Sequence, residues 1–226
     1  MSSKENKILI TGSRGVVGSV IANHLKDNNY KVVELDINSD NPIDILNDNL
    51  NPYFIGISTF IHLAANPNPF IEKEEADKNI EMVKRAIKAC KKSGSLRRII
   101  NASSVNVYPY RTIERITKET ILCANTAFHP EGHYGKAKIE CERLFEEYCR
   151  DNHISLLNLR LGWITKNDRH PPHKEDNPHS RDLEVALKHE DLKKIMRKAV
   201  DYEGTGSYVC ISKRKGLVKK DILFPL

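Results

Sequence analysis

Short apolar runs alternate with longer amphipathic segments along this chain. Continuous apolar runs bounded by polar residues are typical of buried strands, and apolar positions three and four apart are typical of helices. The predicted strands are 7–11, 31–36, 59–63, 98–101, 154–161 and 207–211, and the predicted helices are 16–25, 72–92, 133–151 and 187–200. Strands that alternate with helices in this order predict an α/β fold with a doubly wound parallel sheet.

Two stretches lack either periodicity. Residues 38–53 are rich in Asn, Asp and Pro, which predicts a loop with at most a short helix. Residues 166–181 hold three prolines, three histidines and many charges, which predicts a long loop and a candidate substrate loop. The histidines are irregularly spaced among prolines, so we predict no metal site at His170, His173 or His179.

Composition narrows the class of protein. The 226 residues are 39% hydrophobic and 29% charged, which suits one soluble domain with a small appendage. No apolar run approaches the about 20 residues of a membrane helix, and the short polar start lacks a signal-peptide core. Five scattered cysteines without a C-x-x-C pair favour reduced, packed thiols. These features predict a cytoplasmic protein.

The net charge of +6 is concentrated late in the chain, between residues 193 and 220. One hypothesis is a basic surface that attracts an anionic substrate or nucleic acid. The other is a solvated lysine-rich face. A nucleic-acid platform requires aromatic residues interleaved with the basic ones, and none interleave with these lysines. The solvated lysine-rich face is therefore favoured.

A glycine-rich segment, T-G-S-R-G-V-V-G, follows the first strand and opens the first helix. In a Rossmann-type unit, Gly12 permits the tight turn, Gly15 lets the backbone approach a pyrophosphate, and Gly18 lets the helix pack close to the strand. The helix N-terminus at Val16 and Val17 then faces the phosphates. The competing interpretation is simple turn chemistry.

Asp36 ends the second strand, where a carboxylate accepts hydrogen bonds from the adenosine ribose and repels a 2′-phosphate. This position predicts NAD rather than NADP, although Arg14 in the glycine loop is placed to meet a phosphate. The alternative role of Asp36 is a strand-end cap. Asp44 and Ile45 form a weaker candidate for contact with the adenine.

Tyr134 and Lys138 are four residues apart at the start of a helix, so their side chains share one face. A lysine ammonium beside a phenol favours the phenolate, which exchanges a proton with an alcohol. Alone, this spacing usually means one core tyrosine and one surface lysine. Ser104 strengthens the catalytic interpretation, because residues at the carboxyl ends of parallel strands face the ligand crevice.

These motifs, with S-S-V-N-V-Y at 103–108 and H-L-A-A at 62–65, resemble the extended short-chain dehydrogenase/reductase family of NAD-dependent epimerase/dehydratase type. The resemblance spans about residues 7–165. It implies that Tyr134 is the acid/base, that Lys138 holds the nicotinamide ribose and tunes Tyr134, and that Ser104, rather than Ser103, polarises the substrate oxygen. The family often has serine at Ala137, a mild departure.

The resemblance also implies the lining of the two binding sites. The cofactor would be bound by Gly12, Arg14, Gly15, Val16, Val17, Asp36, Asp44, Ile45, Leu63, Ala64, Ala65, Asn79, Tyr134 and Lys138. The predicted substrate-binding residues are Ser104, Val105, Asn106 and Tyr134, together with Asn66 and Arg169, which are chosen for their positions after the third strand and in the candidate substrate loop. Asn66, beside Pro67, is alternatively an ordinary turn residue. Arg169 or Arg181 would pair with a carboxylate or phosphate of the substrate, or else remain solvent-exposed.

The number of residues after the fifth strand favours one group of substrates within the family. Only about 60 residues follow the fifth strand, which leaves little room for a nucleotide diphosphate. Free-sugar enzymes such as uronate and hexose dehydrogenases fit better, and Lys188-His-Glu-Asp-Leu192 resembles a motif near their last helix. Trp163 stands where they carry a serine. We therefore predict a Rossmann domain over 1–165 and a short substrate-binding extension over 166–226.

The predicted function is NAD-dependent oxidation of a sugar, sugar-acid or sugar-phosphate hydroxyl. The alternatives are a nucleotide-sugar epimerase or dehydratase, and a non-catalytic NAD(P)-binding regulator. Helices 72–92 and 133–151 resemble those that pair two subunits in this family, so a homodimer is expected. Packing on their own sheet is the other explanation of their apolar faces.

Overall fold

The computed structural model describes residues 6–108, 130, 132–169 and 185–212. Six strands and five helices are numbered here in chain order. The strands are β1 (Lys7–Thr11), β2 (Lys31–Leu35), β3 (Thr59–His62), β4 (Arg98–Ser104), β5 (Ser155–Leu161) and β6 (Gly206–Cys210). The helices are α1 (Val16–Asp27), α2 (Asn51–Phe54), α3 (Lys73–Cys90), α4 (His133–Asp151) and α5 (His189–Asp201).

All six strands pair in parallel, in the order β2-β1-β3-β4-β5-β6. The chain starts at β1, moves outward to β2, then crosses back to β3 and continues to β6. This reversal places a crevice at the carboxyl ends of β1 and β3, where ligands bind in open α/β sheets. The predicted Rossmann-type sheet is confirmed.

Side chains alternate between two cores on opposite faces of the sheet. Ile8 and Ile10 of β1 face one core, which α1 and α5 cover, whereas Leu9 faces the other core, which α3 and α4 cover. Strands buried on both faces must be apolar almost throughout, which explains the continuous runs in the sequence. The largest fully enclosed rings, Phe54, Phe60 and Phe145, belong to the second core.

The predicted element bounds need one correction that matters for the site. The fourth strand does not end at residue 101 but continues through Ser104, because β5 pairs with it as far as Ser104 opposite Leu161. Ser104 is therefore the last residue of a paired strand and also caps the 3₁₀ turn Val105–Val107, since its hydroxyl accepts the Asn106 N–H at 3.2 Å.

The predicted loop at 38–53 contains the start of the short helix α2. Beyond residue 165, α5 buries Leu192 and Ile195 in the core it shares with α1, and β6 extends the same sheet. Among the residues described, none of the helices is both long and apolar enough to cross a bilayer.

Candidate active site

The glycine-rich segment forms a turn that admits almost no side chain. Gly12 has a φ of +73°, and a Cβ there would lie 2.7 Å from the Ala64 backbone nitrogen. A Cβ on Gly18 would lie 2.0 Å from the Gly12 carbonyl oxygen. The first position requires glycine for its conformation and the second for close approach of helix to strand.

Gly15 differs from these two glycines because a Cβ there would meet only the Gly12 carbonyl oxygen, at 3.4 Å. It is the N-cap of α1, and no side chain within the described residues caps the helix. The first N–H groups of a helix have no partner inside it. At Val16 and Val17 they are therefore available to an anion, so this loop fits the pyrophosphate of a dinucleotide.

Asp36 lies just after β2 and is 8% exposed. Its two carboxylate oxygens each accept one backbone N–H at 2.8 Å, from Arg14 and from Asn38. A carboxylate oxygen has room for a second donor, so ribose hydroxyls remain compatible with this arrangement. The two bonds fix the carboxylate beside the glycine loop, and the Arg14 side chain is exposed.

Asp44 and Ile45 sit in a turn that α3 anchors. Both Asp44 carboxylate oxygens are used within the turn, by the Leu46 N–H at 2.9 Å and by the Asn47 amide. Arg85 of α3 donates to the Ile45 carbonyl at 2.6 Å and to the Asp48 carbonyl at 2.9 Å. The segment predicted to contact adenine is thus held by a helix 40 residues further along the chain.

The end of β3 lies against the glycine loop. The Leu63 N–H donates to the Thr11 carbonyl at 3.1 Å, and the Ala64 backbone packs on Gly12. His62 is fully enclosed, with its Nδ1 2.9 Å from the Thr11 hydroxyl. Burial, and after it the charge of Lys138, lower the pKa of His62 to about 3. The imidazole is therefore neutral beneath the crevice.

The segment Ala65–Asn66 is fixed by Asn79, a buried residue of α3. The Asn79 side chain accepts the Asn66 N–H at 2.8 Å and donates to the Asn66 carbonyl at 3.1 Å. The Asn79 amide thus bonds to both the N–H and the carbonyl of Asn66, as the backbone of a neighbouring strand would. Asn79 therefore orders the loop that carries Asn66, a predicted substrate residue.

Tyr134 and Lys138 occupy the first two turns of α4 and are only 7% and 6% exposed. The Lys138 Nζ lies 5.7 Å from the centre of the Tyr134 ring and donates to the Ala102 carbonyl of β4 at 2.7 Å. The lysine is thus no surface residue. It is held between the tyrosine and the strand that ends at Ser104.

Close packing brings α4 to the turn that follows Ser104. A Cβ on Gly135 would lie 2.3 Å from the Asn106 carbonyl oxygen, so only glycine lets the helix approach so near. Val105 is buried and Asn106 partly exposed in this turn. Ser104 is 8% exposed, whereas the hydroxyl of Ser103 is enclosed and has no partner among the described residues.

Sequence reasoning missed a set of buried polar side chains behind the site. Arg160 of β5 and Glu142 of α4 form an ion pair at 2.8 Å, and Arg160 also donates to the Tyr108 hydroxyl at 2.9 Å. The signal was the arginine inside the apolar strand L-N-L-R-L, since a buried charge requires a partner.

Arg169 is exposed, and its carbonyl accepts the Thr165 hydroxyl at 3.1 Å. Nearby, the Asp168 carboxylate accepts the His189 N–H at 2.9 Å and so fixes the start of α5. Arg181 and the three histidines His170, His173 and His179 lie outside the described residues. Within the described part of the chain, no group of three or more His, Cys, Asp or Glu side chains is arranged to hold a metal ion.

Comparisons with known proteins identify the family and the fold of this chain. The model of the NAD-dependent epimerase/dehydratase family matches residues 8–176. An L-arabinose 1-dehydrogenase (NAD(P)⁺) of Haloferax volcanii is 27% identical over 176 residues, which is 72% of this chain and 68% of that protein. Across three further curated relatives, the matched region covers between 48% and 71% of their length.

Two solved structures have the same fold. Glucuronic acid dehydrogenase from Chromohalobacter salexigens superposes with a TM-score of 0.75 at 22% identity, over 96% of this chain and 80% of that one. MoeE5, solved with UDP-glucose and NAD, gives a TM-score of 0.75 at 21% identity, over 92% of this chain and 77% of that one.

Proposed function

The chain belongs to the NAD-dependent epimerase/dehydratase family, and from this premise we propose that it oxidises a hydroxyl group of a sugar, sugar acid or sugar phosphate with NAD. The observation that carries the proposal is the placement of Lys138, whose ammonium lies beside the Tyr134 ring and is hydrogen-bonded to the strand that ends at Ser104. A buried lysine ammonium held beside a tyrosine ring suits a reaction in which the phenol exchanges a proton.

In this mechanism the Tyr134 phenolate takes the proton from the sugar hydroxyl. The Lys138 charge stabilises the phenolate, and the Ser104 hydroxyl donates a hydrogen bond to the reacting oxygen. Bound NAD supplies the acceptor for the hydride that leaves the same carbon. The low exposure of Tyr134, Lys138 and Ser104 excludes bulk water and so strengthens these electrostatic interactions.

We propose that Gly12, Gly15, Val16 and Val17 bind the pyrophosphate and that Asp36 binds the adenosine ribose. The uncapped start of α1 and the fixed carboxylate of Asp36 support this assignment. The carboxylate also disfavours a 2′-phosphate, so NAD is preferred over NADP. Leu63, Ala64 and Ala65 would pass beside the cofactor, with Asn79 acting through the loop it holds.

The proposed substrate is a free sugar or a close derivative. Asn66, Ser104, Val105, Asn106 and Tyr134 all lie at or beside the carboxyl ends of β3 and β4, or at the start of α4. The glucuronic acid and L-arabinose dehydrogenases named above support this substrate class. Arg169 would pair with an anionic group of the substrate, and residues 166–226 would supply the substrate-binding extension to the Rossmann domain of 1–165.

A homodimer is also proposed. α3 and α4 pack side by side, and a shallow hollow on their outer face is lined by Ile87, Leu144 and Tyr148 with charged residues around them. This face suits the same face of a second copy.

We also propose a cytoplasmic location, which is supported by the described cysteines, since all of them are free and buried. Burial raises the pKa of Cys141 to about 11, which keeps that thiol protonated.

The test is a screen of aldoses, uronates and sugar phosphates that follows NADH and NADPH absorbance. Steady release of NADH with a sugar supports the proposal. Interconversion of a sugar without net NADH supports an epimerase or dehydratase instead. NAD binding with no turnover of any sugar would favour the non-catalytic regulator.

A further inference from the structure

An enclosed ion pair links α4 to β5. The Arg160 Nε and Nη2 donate to the two carboxylate oxygens of Glu142 at 3.0 and 2.8 Å, and the two residues are 8% and 4% exposed. Removing two charges from water is costly, and an apolar pair of similar volume often stabilises a fold equally well or better. Stability alone therefore does not account for this pair.

Tyr108 is the third member of the group. The Arg160 Nη1 donates to the Tyr108 hydroxyl at 2.9 Å, and the guanidinium carbon lies 5.5 Å from the ring centre. Burial alone would lower the pKa of Arg160, but its bonds to Glu142 and the contact with Tyr108 raise it above its usual value. The arginine is thus a permanent cation that Glu142 and Tyr108 hold in place.

These partners belong to two different parts of the active site. Tyr108 follows the turn Val105–Val107, which Ser104 caps, and its N–H donates to the Val105 carbonyl at 3.1 Å. Glu142 lies one helical turn beyond Lys138, which lies one turn beyond Tyr134. One guanidinium therefore contacts both the helix that carries Tyr134 and the segment that carries Ser104.

We propose that Arg160 is a positioning residue that fixes Ser104 relative to Tyr134 and Lys138, through its bonds to Tyr108 and Glu142. The proposal rests on the proposed function, because that function assigns those three residues to the reaction. Gly135 sets how closely α4 approaches the Asn106 carbonyl. Arg160 sets the second point of attachment, so the helix cannot slide or rotate against the strand end.

The double variant Glu142→Leu/Arg160→Met separates positioning from stability. It removes both charges of the pair together, so neither member is left buried without the other, and we expect the thermal midpoint to stay close to that of the native chain. We expect kcat for the sugar to fall about tenfold to hundredfold, with KM for the sugar and Kd for NAD nearly unchanged. Native kcat in a stably folded double variant would overturn the proposal.

Tyr108→Phe tests the same link while the ion pair stays intact, so the fold is not at risk. It removes one hydroxyl, and we expect a smaller loss of kcat, with KM unchanged. Tyr202→Phe is the matched control, since the Tyr202 hydroxyl lies 3.3 Å from that of Tyr208, away from the site. Equal kcat in the two variants would contradict the proposal.

Amide hydrogen exchange decides the question without turnover. In the full chain with NAD, Tyr108→Phe should speed exchange at residues 104–108, whereas Tyr202→Phe should not. If the native chain oxidises no sugar, the proposed function fails while this result still reports on Arg160. Unchanged exchange at 104–108 would overturn the positioning role even if a sugar is oxidised.

Discussion

The two ends of the candidate active site are built by different means. At the cofactor end, backbone packs on backbone: Gly18 against Gly12, and Gly12 against Ala64. At the catalytic end, buried polar side chains connect the elements, with Lys138 on the Ala102 carbonyl and Arg160 between Glu142 and Tyr108. The cofactor end depends on glycines that have no side chain, whereas the catalytic end depends on buried side chains that hydrogen-bond to particular partners.

This difference predicts how each end fails. A methyl group added at Gly12 or Gly18 displaces main chain, so fold and NAD binding are lost together. A polar group removed at the catalytic end leaves the sheet intact but misplaces the reacting groups, so kcat falls while NAD still binds.

The largest effect is expected for Gly18→Ala. Its Cβ would lie 2.0 Å from the Gly12 carbonyl oxygen, so α1 must move. We expect a loss of about 3 kcal/mol of unfolding free energy and no measurable NAD binding. Gly15→Ala is the control, since its nearest atom is 3.4 Å away. It should remain folded and bind NAD more weakly. Denaturant unfolding and NAD titration measure both variants.

The second prediction concerns His62, whose pKa is lowered to about 3 by burial and then by Lys138. Between about pH 3 and 6.5 the unfolded chain binds a proton that the folded chain excludes, so stability rises with pH across this window. The slope contributed by His62 is up to about 1.4 kcal/mol per pH unit. His62→Asn should lose that slope.

His153→Asn is the control for the pH experiment. His153 is exposed and has a φ of 54°, a conformation that asparagine tolerates. Its unfolding free energy should follow the native pH dependence in denaturant titrations at several pH values. A His62→Asn variant with the native slope would show that the imidazole is not held neutral by the fold.

Asp36→Asn should weaken NAD binding by about tenfold and reduce the preference for NAD over NADP. An amide cannot accept at both ends, so either the Arg14 or the Asn38 N–H loses its partner. Kd values for both cofactors give the ratio, and Asp40→Asn, at an exposed position, is the control. An unchanged ratio would remove Asp36 from cofactor selection.

The smallest effect is expected for Arg85→Ala. This change frees the Ile45 and Asp48 carbonyls from α3, so the adenine segment loosens. We expect KM for NAD to rise about threefold with kcat unchanged, since only part of the about 1 kcal/mol that each bond contributes acts on the adenine segment. Lys88→Ala on the same helix should leave both constants at native values. A change in kcat instead of KM would place Arg85 at the catalytic end.

The contrast also explains what the sequence predicted. The cofactor end could be predicted from a local pattern, because Gly12, Gly15 and Gly18 lie in one short segment and their spacing alone predicts the turn. Tyr134 and Lys138 were predicted as catalytic candidates because they are one helical turn apart. The Arg160 group was missed because Tyr108 follows the turn after β4, Glu142 lies in α4 and Arg160 in β5, and their pairing requires the strand register of Arg160 beside Ser103.

Asn79 illustrates the same limit. Its position was predicted from a family resemblance as cofactor-binding, yet both polar ends of its side chain bind the Asn66 backbone. Hydrophobic periodicity correctly identified α3, but no local pattern shows which loop a buried amide will hold. The end of the fourth strand was likewise predicted too early, at residue 101, because only the pairing with β5 shows that β4 continues to Ser104.

The proposed mechanism assigns to Tyr134 the exchange of the proton during NAD-dependent oxidation of a sugar hydroxyl. The most direct measurement compares NADH formation by the native chain and by Tyr134→Phe, with the best sugar from the screen. We predict steady NADH release by the native chain, a loss of kcat of at least about hundredfold in the variant, and the same Kd for NAD. Equal rates in the two proteins would contradict the mechanism.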